Sequence, residues 1–266
     1  MNEEFIIVSA LFNIKREGMD GRKWDQYLEW LDKTLKLKCH MIMFVSEDVA
    51  PFIRERRPDI NIQVQDTDEI PYWNLKPRLD EIISRPEYKT IIKDPERIEC
   101  QHSEYSIIQY SKFEWLIQAM TIESNFKYFF WLDAGGSRFF ENYDLNLEYP
   151  SPEAIKSLED MGDSFLVQMN MEYYRDLAGA KKLDVEYLKD NRSFILGSMF
   201  GGTQKAIRDV SKRIQNIVKY DMMEKNFINN EQIALGYLVK DSPELFSTYE
   251  RYNGKHMDLF TELGKR

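Results

Sequence analysis

The feature of this sequence that most constrains its fold is a dense apolar run that ends abruptly at an acid. Residues 128–132 (YFFWL) are followed at once by Asp133 and then by the small residues 134–136 (AGG). Such a run is typical of a strand buried on both faces in the middle of a parallel sheet. Open α/β sheets bind their ligands outside the carboxyl ends of such strands, and glycines let a ligand come close to the backbone. The run therefore predicts a ligand site at Asp133.

The order of the other elements predicts an α/β fold with a mostly parallel central sheet flanked by helices. Strand-like runs and helical spacing alternate as β-α-β-α-β over residues 4–64, which is the pattern of a parallel sheet with right-handed crossovers. The predicted strands are 4–12, 40–45, 60–64, 128–132, 165–169 and 194–200, the last closed by Gly201 and Gly202. The predicted helices are 24–37, 51–57, 103–122, 151–161 with Ser151 as its cap, one that follows the cap Thr203, and one that follows Asn229 or Asn230. A chain of 266 residues suits one domain.

Composition excludes several classes of partner. The formal net charge of −9 argues against non-specific nucleic-acid binding, which needs a basic face, and against a polybasic membrane anchor. No apolar run approaches the ~20 residues of a membrane span, and the acidic start is unlike a signal peptide. We therefore expect a cytoplasmic protein without a membrane span. Cys39 and Cys100 lack CxxC spacing, which predicts two free thiols in a reducing compartment.

Asp133 is the candidate for metal and phosphate chemistry. A carboxylate at the end of a buried strand can hold Mn²⁺ or Mg²⁺, and the cation can in turn hold a diphosphate. The Asp-x-Asp pair that many nucleotide-sugar transferases place here is incomplete, because Gly135 occupies the position of the second acid. His256 is the candidate second ligand, and Lys255 is a candidate phosphate contact. The alternatives are an acid that caps a turn and a histidine that is simply exposed.

Two further charged residues suit a ligand cleft. Lys112 shares one face of its predicted helix with Tyr105 and Gln109, at spacing i, i+4 and i+7. It either reaches the base or phosphates of a nucleotide or lies on the wet face of the helix. Glu231 follows a helix cap, where an acid is favoured electrostatically. It is either a capping-region acid or the general base that takes a proton from an acceptor hydroxyl.

Two long segments resemble the HtrL/YibB-type proteins. They are 105–119 (YSIIQYSKFEWLIQA) and 125–138 (NFKYFFWLDAGGSR), a lysine-bearing helix followed by an apolar strand that ends in Asp-Ala-Gly. The segment 70–73 (IPYW) and the later FGGT and NNEQ segments also fit. That family resembles glycosyltransferases of the GT-A fold. The resemblance implies a nucleotide-sugar-binding half, 1–140, and an acceptor-side half, 141–266, within a single GT-A-like domain.

The resemblance also implies roles for individual residues. Asp133 would be the metal or diphosphate carboxylate, Lys112 would lie in the donor pocket, and Glu231 would face the reacting centre. Ser9, Ala10, Leu11 and Phe12 would touch the nucleotide base, and Gly201 and Gly202 would border the acceptor. We add Lys255 to the donor side, Asn230 to the acceptor side and His256 to the metal ligands.

The predicted function is a glycosyltransferase, of the hexosyl or pentosyl type. It would move a sugar from a nucleoside-diphosphate donor, expected to be a UDP sugar, to a glycan or another hydroxyl acceptor, assisted by Mn²⁺ or Mg²⁺. A non-catalytic nucleotide or sugar binder on the same fold is the alternative, since it needs only one acid at this position. A nucleotidyltransferase is less favoured, because the loop after the first strand offers only Lys15, Arg16 and Gly18 where that chemistry uses a basic glycine-rich loop.

Overall fold

A seven-stranded sheet organises the molecule. The computed structural model describes residues 1–140, 143–177, 179–180, 182–252 and 255–266. Its strands are β1 (Phe5–Leu11), β2 (His40–Val45), β3 (Asn61–Val64), β4 (Tyr128–Leu132), β5 (Phe165–Asn170), β6 (Ile195–Thr203) and β7 (Phe246–Arg251). Their order across the sheet is β3-β2-β1-β4-β6-β5-β7. Strand β6 is antiparallel to both of its neighbours, whereas the other described pairs are parallel. The predicted α/β fold with a mostly parallel sheet is confirmed.

Helices cover both faces of this sheet. They are α1 (Glu17–Asp20), α2 (Trp24–Thr34), α3 (Ala50–Arg56), α4 (Lys76–Ser84), α5 (Tyr88–Ile91), α6 (Ile98–Gln101), α7 (Ser103–Ile122), α8 (Pro152–Met161), α9 (Met171–Tyr174), α10 (Gln204–Asn216), α11 (Glu231–Asp241) and α12 (Asp258–Gly264). In the described parts of the chain, none of them combines the length and the apolar character needed to cross a bilayer.

The core consists of two apolar layers, one on each face of the sheet. Ile6 of β1 belongs to the layer that contains Leu116 of α7, whereas the next residue, Ile7, belongs to the layer that contains Leu31 of α2. Successive side chains of a strand point to opposite faces, so a strand covered on both sides is apolar throughout. When both faces of a sheet are covered by helices, ligands bind at the ends of the strands, in particular at the carboxyl ends of the parallel strands.

Three predicted helix caps are confirmed. The side chain of Ser151 accepts a hydrogen bond from the backbone of Ala154, and that of Thr203 accepts one from Ala206. Asn230 caps α11 through the backbone N–H of Ile233, at 3.0 Å. Because each cap satisfies a backbone donor that the helix itself leaves unpaired, the local sequence sets where these helices begin.

The prediction for Gly201 and Gly202 is wrong, because neither glycine closes a strand. Both lie inside β6, paired with Phe130 and Phe129 of β4. A Cβ atom on Gly201 would lie 2.1 Å from the carbonyl oxygen of Phe129, and one on Gly202 would lie 2.2 Å from that of Ser164. The glycines therefore allow close packing of the strands. They pair with Phe129 and Phe130, before the carboxyl end of β4, and their expected place beside an acceptor stays a prediction.

Two further sequence predictions need correction. Strand β4 was expected inside a parallel sheet, but one of its two neighbours, β6, is antiparallel. Strand β7 and helix α12 lie in a segment that the sequence pattern left unassigned, because β7 (FSTYER) has no continuous apolar run. The division into halves at residue 140 stays a prediction.

Candidate functional site

A cavity of about 360 Å³ opens at the carboxyl ends of β1 and β4. Ala10 and Leu11 at the end of β1 and the adjoining Phe12 form part of its wall, and Asp133 and Gly135, which follow β4, form another part. Its position is the one expected from the sequence, since parallel strands bring their carboxyl ends to a common edge. Residues at the end of β1 and residues of the turn at Asp133 therefore line the same cavity.

Asp133 is fixed by its backbone and reaches the cavity with its side chain. Its N–H donates to the carbonyl of Ser198 at 2.9 Å, and its carbonyl accepts from the N–H of Gly136 at 2.7 Å. The carboxylate is 37% exposed, and its Oδ1 atom accepts from Trp131 Nε1 at 2.7 Å and lies 3.0 Å from Lys112 Nζ. No described residue makes a hydrogen bond to Oδ2. One carboxylate oxygen is thus held by the protein, and the other is left for a ligand.

Lys112 is a buried cation between two acids. Helix α7 places its ammonium 2.7 Å from Oε1 of Glu231 and 3.0 Å from the carbonyl of Gly197, in addition to the contact with Asp133. Its side chain is only 2% exposed, yet it lines the cavity. Burial alone would lower the pKa of Lys112, but the carboxylates of Asp133 and Glu231 outweigh burial and raise that pKa above its ordinary value. Lys112 is therefore a permanent positive charge at the cavity floor.

Glu231 lies behind Lys112 and does not line the cavity. Its side chain has no exposed surface, and its Oε2 atom has no hydrogen-bond partner among the described residues. Burial raises the pKa of this carboxyl, and Lys112 opposes the rise. A Cβ atom on Gly197 would lie 2.4 Å from Glu231 Oε1, so the glycine makes room for the acid. Glu231 is not part of the cavity lining, so its expected role as a general base stays a prediction; its observed contact is the ion pair with Lys112.

The cavity is locally basic in an acidic molecule. Its charged lining consists of the cations Lys15, Arg16, Arg22, Lys112 and Arg138 and the anions Glu17 and Asp133. Five positive and two negative side chains give a local excess of three positive charges, although the formal charge of the chain is −9. The arginines were missed as site residues by the sequence prediction. The available signal was the position of 13–22 directly after β1, at the edge where ligands bind.

Aromatic rings form much of the remaining wall. Phe12, Trp24, Tyr27 and Tyr105 line the cavity. The guanidinium of Arg16 lies over the ring of Tyr105, 4.5 Å from its centroid, which is within the range of a cation–π contact. Flat rings beside cations are the surfaces on which a planar base can stack.

Five other predicted residues do not line the cavity. Ser9 is fully buried, and its Oγ donates to the carbonyl of Leu132 at 2.7 Å, so it joins β1 to β4 and does not face a base. Asn230 is the cap of α11, and its side-chain amide donates to Glu99 at 2.9 Å. Lys255 is exposed, and its backbone binds Asp258 and Gln168. None of these contacts brings Ser9, Asn230, Lys255, Gly201 or Gly202 into the lining of the cavity.

The metal site expected at Asp133 and His256 stays a prediction, and other contacts hold His256 in the described residues. The ring of His256 packs on the ring of Phe139, with centroids 5.0 Å apart. The backbone carbonyl of His256 accepts a hydrogen bond from Ser198 Oγ. Burial lowers the pKa of His256, and the charge of Arg138 lowers it further. The described parts of the chain contain no group of three or more His, Cys, Asp or Glu side chains that could hold a metal ion. Since Mg²⁺ takes six ligands, mostly oxygen, a single free carboxylate oxygen is a poor match for it.

Comparison with known proteins identifies a family. The family described as "Bacterial protein of unknown function (HtrL_YibB)" matches residues 3–263. A solved structure, "crystal structure of a glycosyltransferase involved in the glycosylation of the major capsid of PBCV-1", is 10% identical, with a TM-score of 0.38 and coverage of 97% of this chain and 88% of that chain. Another, "PaToxG Glycosyltransferase", is 10% identical, with a TM-score of 0.34 and coverage of 90% and 68%. Neither likeness is close enough to support an argument about function, and no curated protein sequence matches. The family match spans nearly the whole chain, so the protein belongs to the HtrL/YibB family.

Proposed function

We propose that this protein is a glycosyltransferase that moves a sugar from a nucleoside-diphosphate donor, expected to be a UDP sugar, to a hydroxyl group of a glycan or another acceptor. The observation that carries the proposal is the cavity at the carboxyl edge of the sheet, with Asp133 and Lys112 at its floor and arginines and aromatic rings in its walls. Its volume of about 360 Å³ suits a small-molecule ligand. A ligand with a flat base and a charged diphosphate complements such a lining.

The charges of the cavity suit the leaving group of this reaction. In the transfer, the bond between the anomeric carbon and the diphosphate oxygen breaks, and its electron pair stays with the diphosphate. The acceptor oxygen forms the new bond to that carbon. Negative charge therefore grows on the diphosphate, where Lys112 and the arginine side chains can stabilise it in a partly desolvated site.

The acceptor hydroxyl loses its proton during the transfer, and we assign Asp133 to receive it. Its Oδ2 atom has no hydrogen-bond partner in the described residues, and its side chain lines the cavity. Lys112 and Trp131 hold the other oxygen, so the carboxylate keeps a fixed orientation toward the bound substrates. Glu231 acts indirectly, because its ion pair with Lys112 holds the ammonium beside Asp133.

A nucleotide-release assay tests this function. With a panel of UDP, GDP and ADP sugars and candidate acceptors, we expect release of the nucleoside diphosphate with at least one donor. Asp133→Asn keeps the shape of the side chain and should lower turnover about 100-fold or more while leaving the fold intact. Asp209→Asn, on the exposed face of α10, is the matched control and should retain full activity. Full activity of Asp133→Asn would reject the role assigned to this carboxylate.

A non-catalytic nucleotide or sugar binder is the second candidate. It is favoured by the single acid at the cavity floor, Asp133, one oxygen of which is already engaged by Lys112 and Trp131. Calorimetry with UDP, with and without Mn²⁺, measures binding separately from turnover. Tight binding combined with no release from any donor would favour the binder.

A further inference from the structure

The diphosphate-binding group of this cavity need not be a metal ion, because the lining offers such an ion few carboxylate oxygens. Oδ1 of Asp133 accepts hydrogen bonds from Trp131 and pairs with Lys112. The other acid in the lining, Glu17, is exposed at the rim. A divalent cation at Asp133 would also lie close to the ammonium of Lys112, and like charges at such short range repel each other. The lining is therefore poor in metal ligands and already rich in cations.

Three guanidinium groups, those of Arg16, Arg22 and Arg138, line the same cavity. Arg16 and Arg22 share a single acid, Asp20, with Arg16 Nε 3.2 Å from Oδ1 and Arg22 Nε 3.4 Å from Oδ2. The side chain of Arg16 is only 11% exposed, so its charge lies within the protein wall and not in bulk water. One carboxylate between two guanidinium groups leaves one positive charge without a counter-charge.

Arg138 is the cation most clearly lacking a counter-ion. No carboxylate of the described residues lies within ion-pair distance of it. Its guanidinium lies 4.8 Å from the ring centroid of Trp30 and 4.7 Å from that of Phe139. Arg138 and Arg22 line the same cavity. Burial lowers the pKa of Arg138 and the charge of Arg22 lowers it further, whereas the charge of Asp133 opposes this change. Two like charges held together at a cavity wall are stabilised when an anion binds between them.

We propose that Arg138, together with Arg22 and Arg16, binds the diphosphate of the donor directly, so that binding needs no divalent cation. The proposal rests on the proposed function, which supplies the diphosphate. Guanidinium groups match phosphate oxygens with paired, charge-assisted hydrogen bonds, which an ammonium does not. Lys112 adds a fixed charge at the floor, next to Asp133.

Calorimetry with UDP and with inorganic pyrophosphate, in excess EDTA and in Mn²⁺, tests this. We expect both ligands to bind in EDTA, with the dissociation constant of UDP within about twofold of its value in Mn²⁺. Arg138→Gln should weaken UDP binding about 10-fold or more in EDTA. Arg138→Lys should recover only part of the loss, because it restores the charge and not the paired geometry. Arg208→Gln, an exposed arginine of α10, is the matched control and should bind as the wild type does.

The outcomes separate this inference from the proposed function. If UDP binds only with Mn²⁺, or if Arg138→Gln binds UDP as tightly as the wild type in EDTA, direct binding by the arginines is overturned while a nucleotide-dependent function stands. If neither UDP, GDP, ADP nor pyrophosphate binds under either condition, the proposed function fails as well. Thermal unfolding of each variant checks that a loss of binding is not a loss of fold.

Discussion

Lys112 is the residue on which the proposed site depends most. Its side chain is buried and contacts the acids Asp133 and Glu231. Its ammonium also donates a hydrogen bond to the carbonyl of Gly197, which makes three interactions in all. A buried ammonium is stable only when its charge and its donors are satisfied. Because Asp133 belongs to the cavity and Glu231 does not, Lys112 links the exposed acid to the buried one.

Removal of this cation should be far more costly than removal of the whole pair. Lys112→Met leaves Glu231 buried without a counter-charge, and we expect a loss of about 3–5 kcal/mol in the free energy of unfolding. The double variant Lys112→Met/Glu231→Gln removes both charges and should recover part of that loss. Urea unfolding followed by circular dichroism measures both. A double variant that is less stable than Lys112→Met would contradict the arrangement described for Glu231.

At this scale the sequence pointed to some of the residues that line the cavity and missed the arginines. Asp133 follows a strand and Lys112 lies on a polar helix face, and both patterns are local, so both were found. Glu231 looked like an acid at the start of a helix, and only the packing of α11 against Gly197 shows that it is enclosed. The surroundings of Arg138 include Trp30 of the distant helix α2, which no local pattern encodes.

Strand β6 is an element that the sequence described only in part, although it lies inside the sheet between β4 and β5. Its glycines at 201 and 202 resemble a turn signal, because glycine is uncommon in strand interiors. In the structure they permit close contact with β4 and β5. The first half of the chain was predicted more fully, since β1, β2, β4 and α7 are apolar over their whole length or have regular helical spacing. Edge strand β7 was not predicted because it is half-exposed.

Gly201→Ala tests this account of β6. The added methyl would lie 2.1 Å from the carbonyl oxygen of Phe129, which is backbone and cannot turn aside. We expect a loss of about 3 kcal/mol or more in the free energy of unfolding. Gly179→Ala, where nothing lies within 4 Å, should change stability by no more than about 0.5 kcal/mol. Equal stability of the two variants in urea would show that β6 does not pack against β4 in this way.

At the scale of the whole molecule, the two buried thiols lie on opposite faces of the sheet. Cys100 lies in the apolar layer of α7, and Cys39 lies in the layer of α2. Both are free, as the sequence predicted, and both are buried. Burial raises the pKa of the Cys39 thiol to about 12 and also raises that of Cys100. Both thiols are therefore protonated as well as inaccessible near neutral pH, which suppresses alkylation.

Alkylation along a urea gradient tests whether the chain is one cooperative domain. At pH 8 we expect iodoacetamide to label neither Cys39 nor Cys100 in the folded protein, because a higher pKa means less thiolate. Both should become labelled at the same urea concentration, which should match the loss of circular dichroism. Mass spectrometry of the labelled peptides measures each site separately. Two distinct midpoints would contradict the prediction of a single domain.

The contrast between a basic cavity and an acidic exterior has a consequence for which anions the molecule admits. At physiological ionic strength the repulsion from the outer surface fades within about 8 Å. A compact diphosphate can enter the cavity almost whole, and there it meets only the local excess of positive charge. A long polyanion extends far beyond the opening and stays in contact with the repelling exterior. We therefore expect the charge distribution to favour the binding of small phosphates over that of polymeric ones.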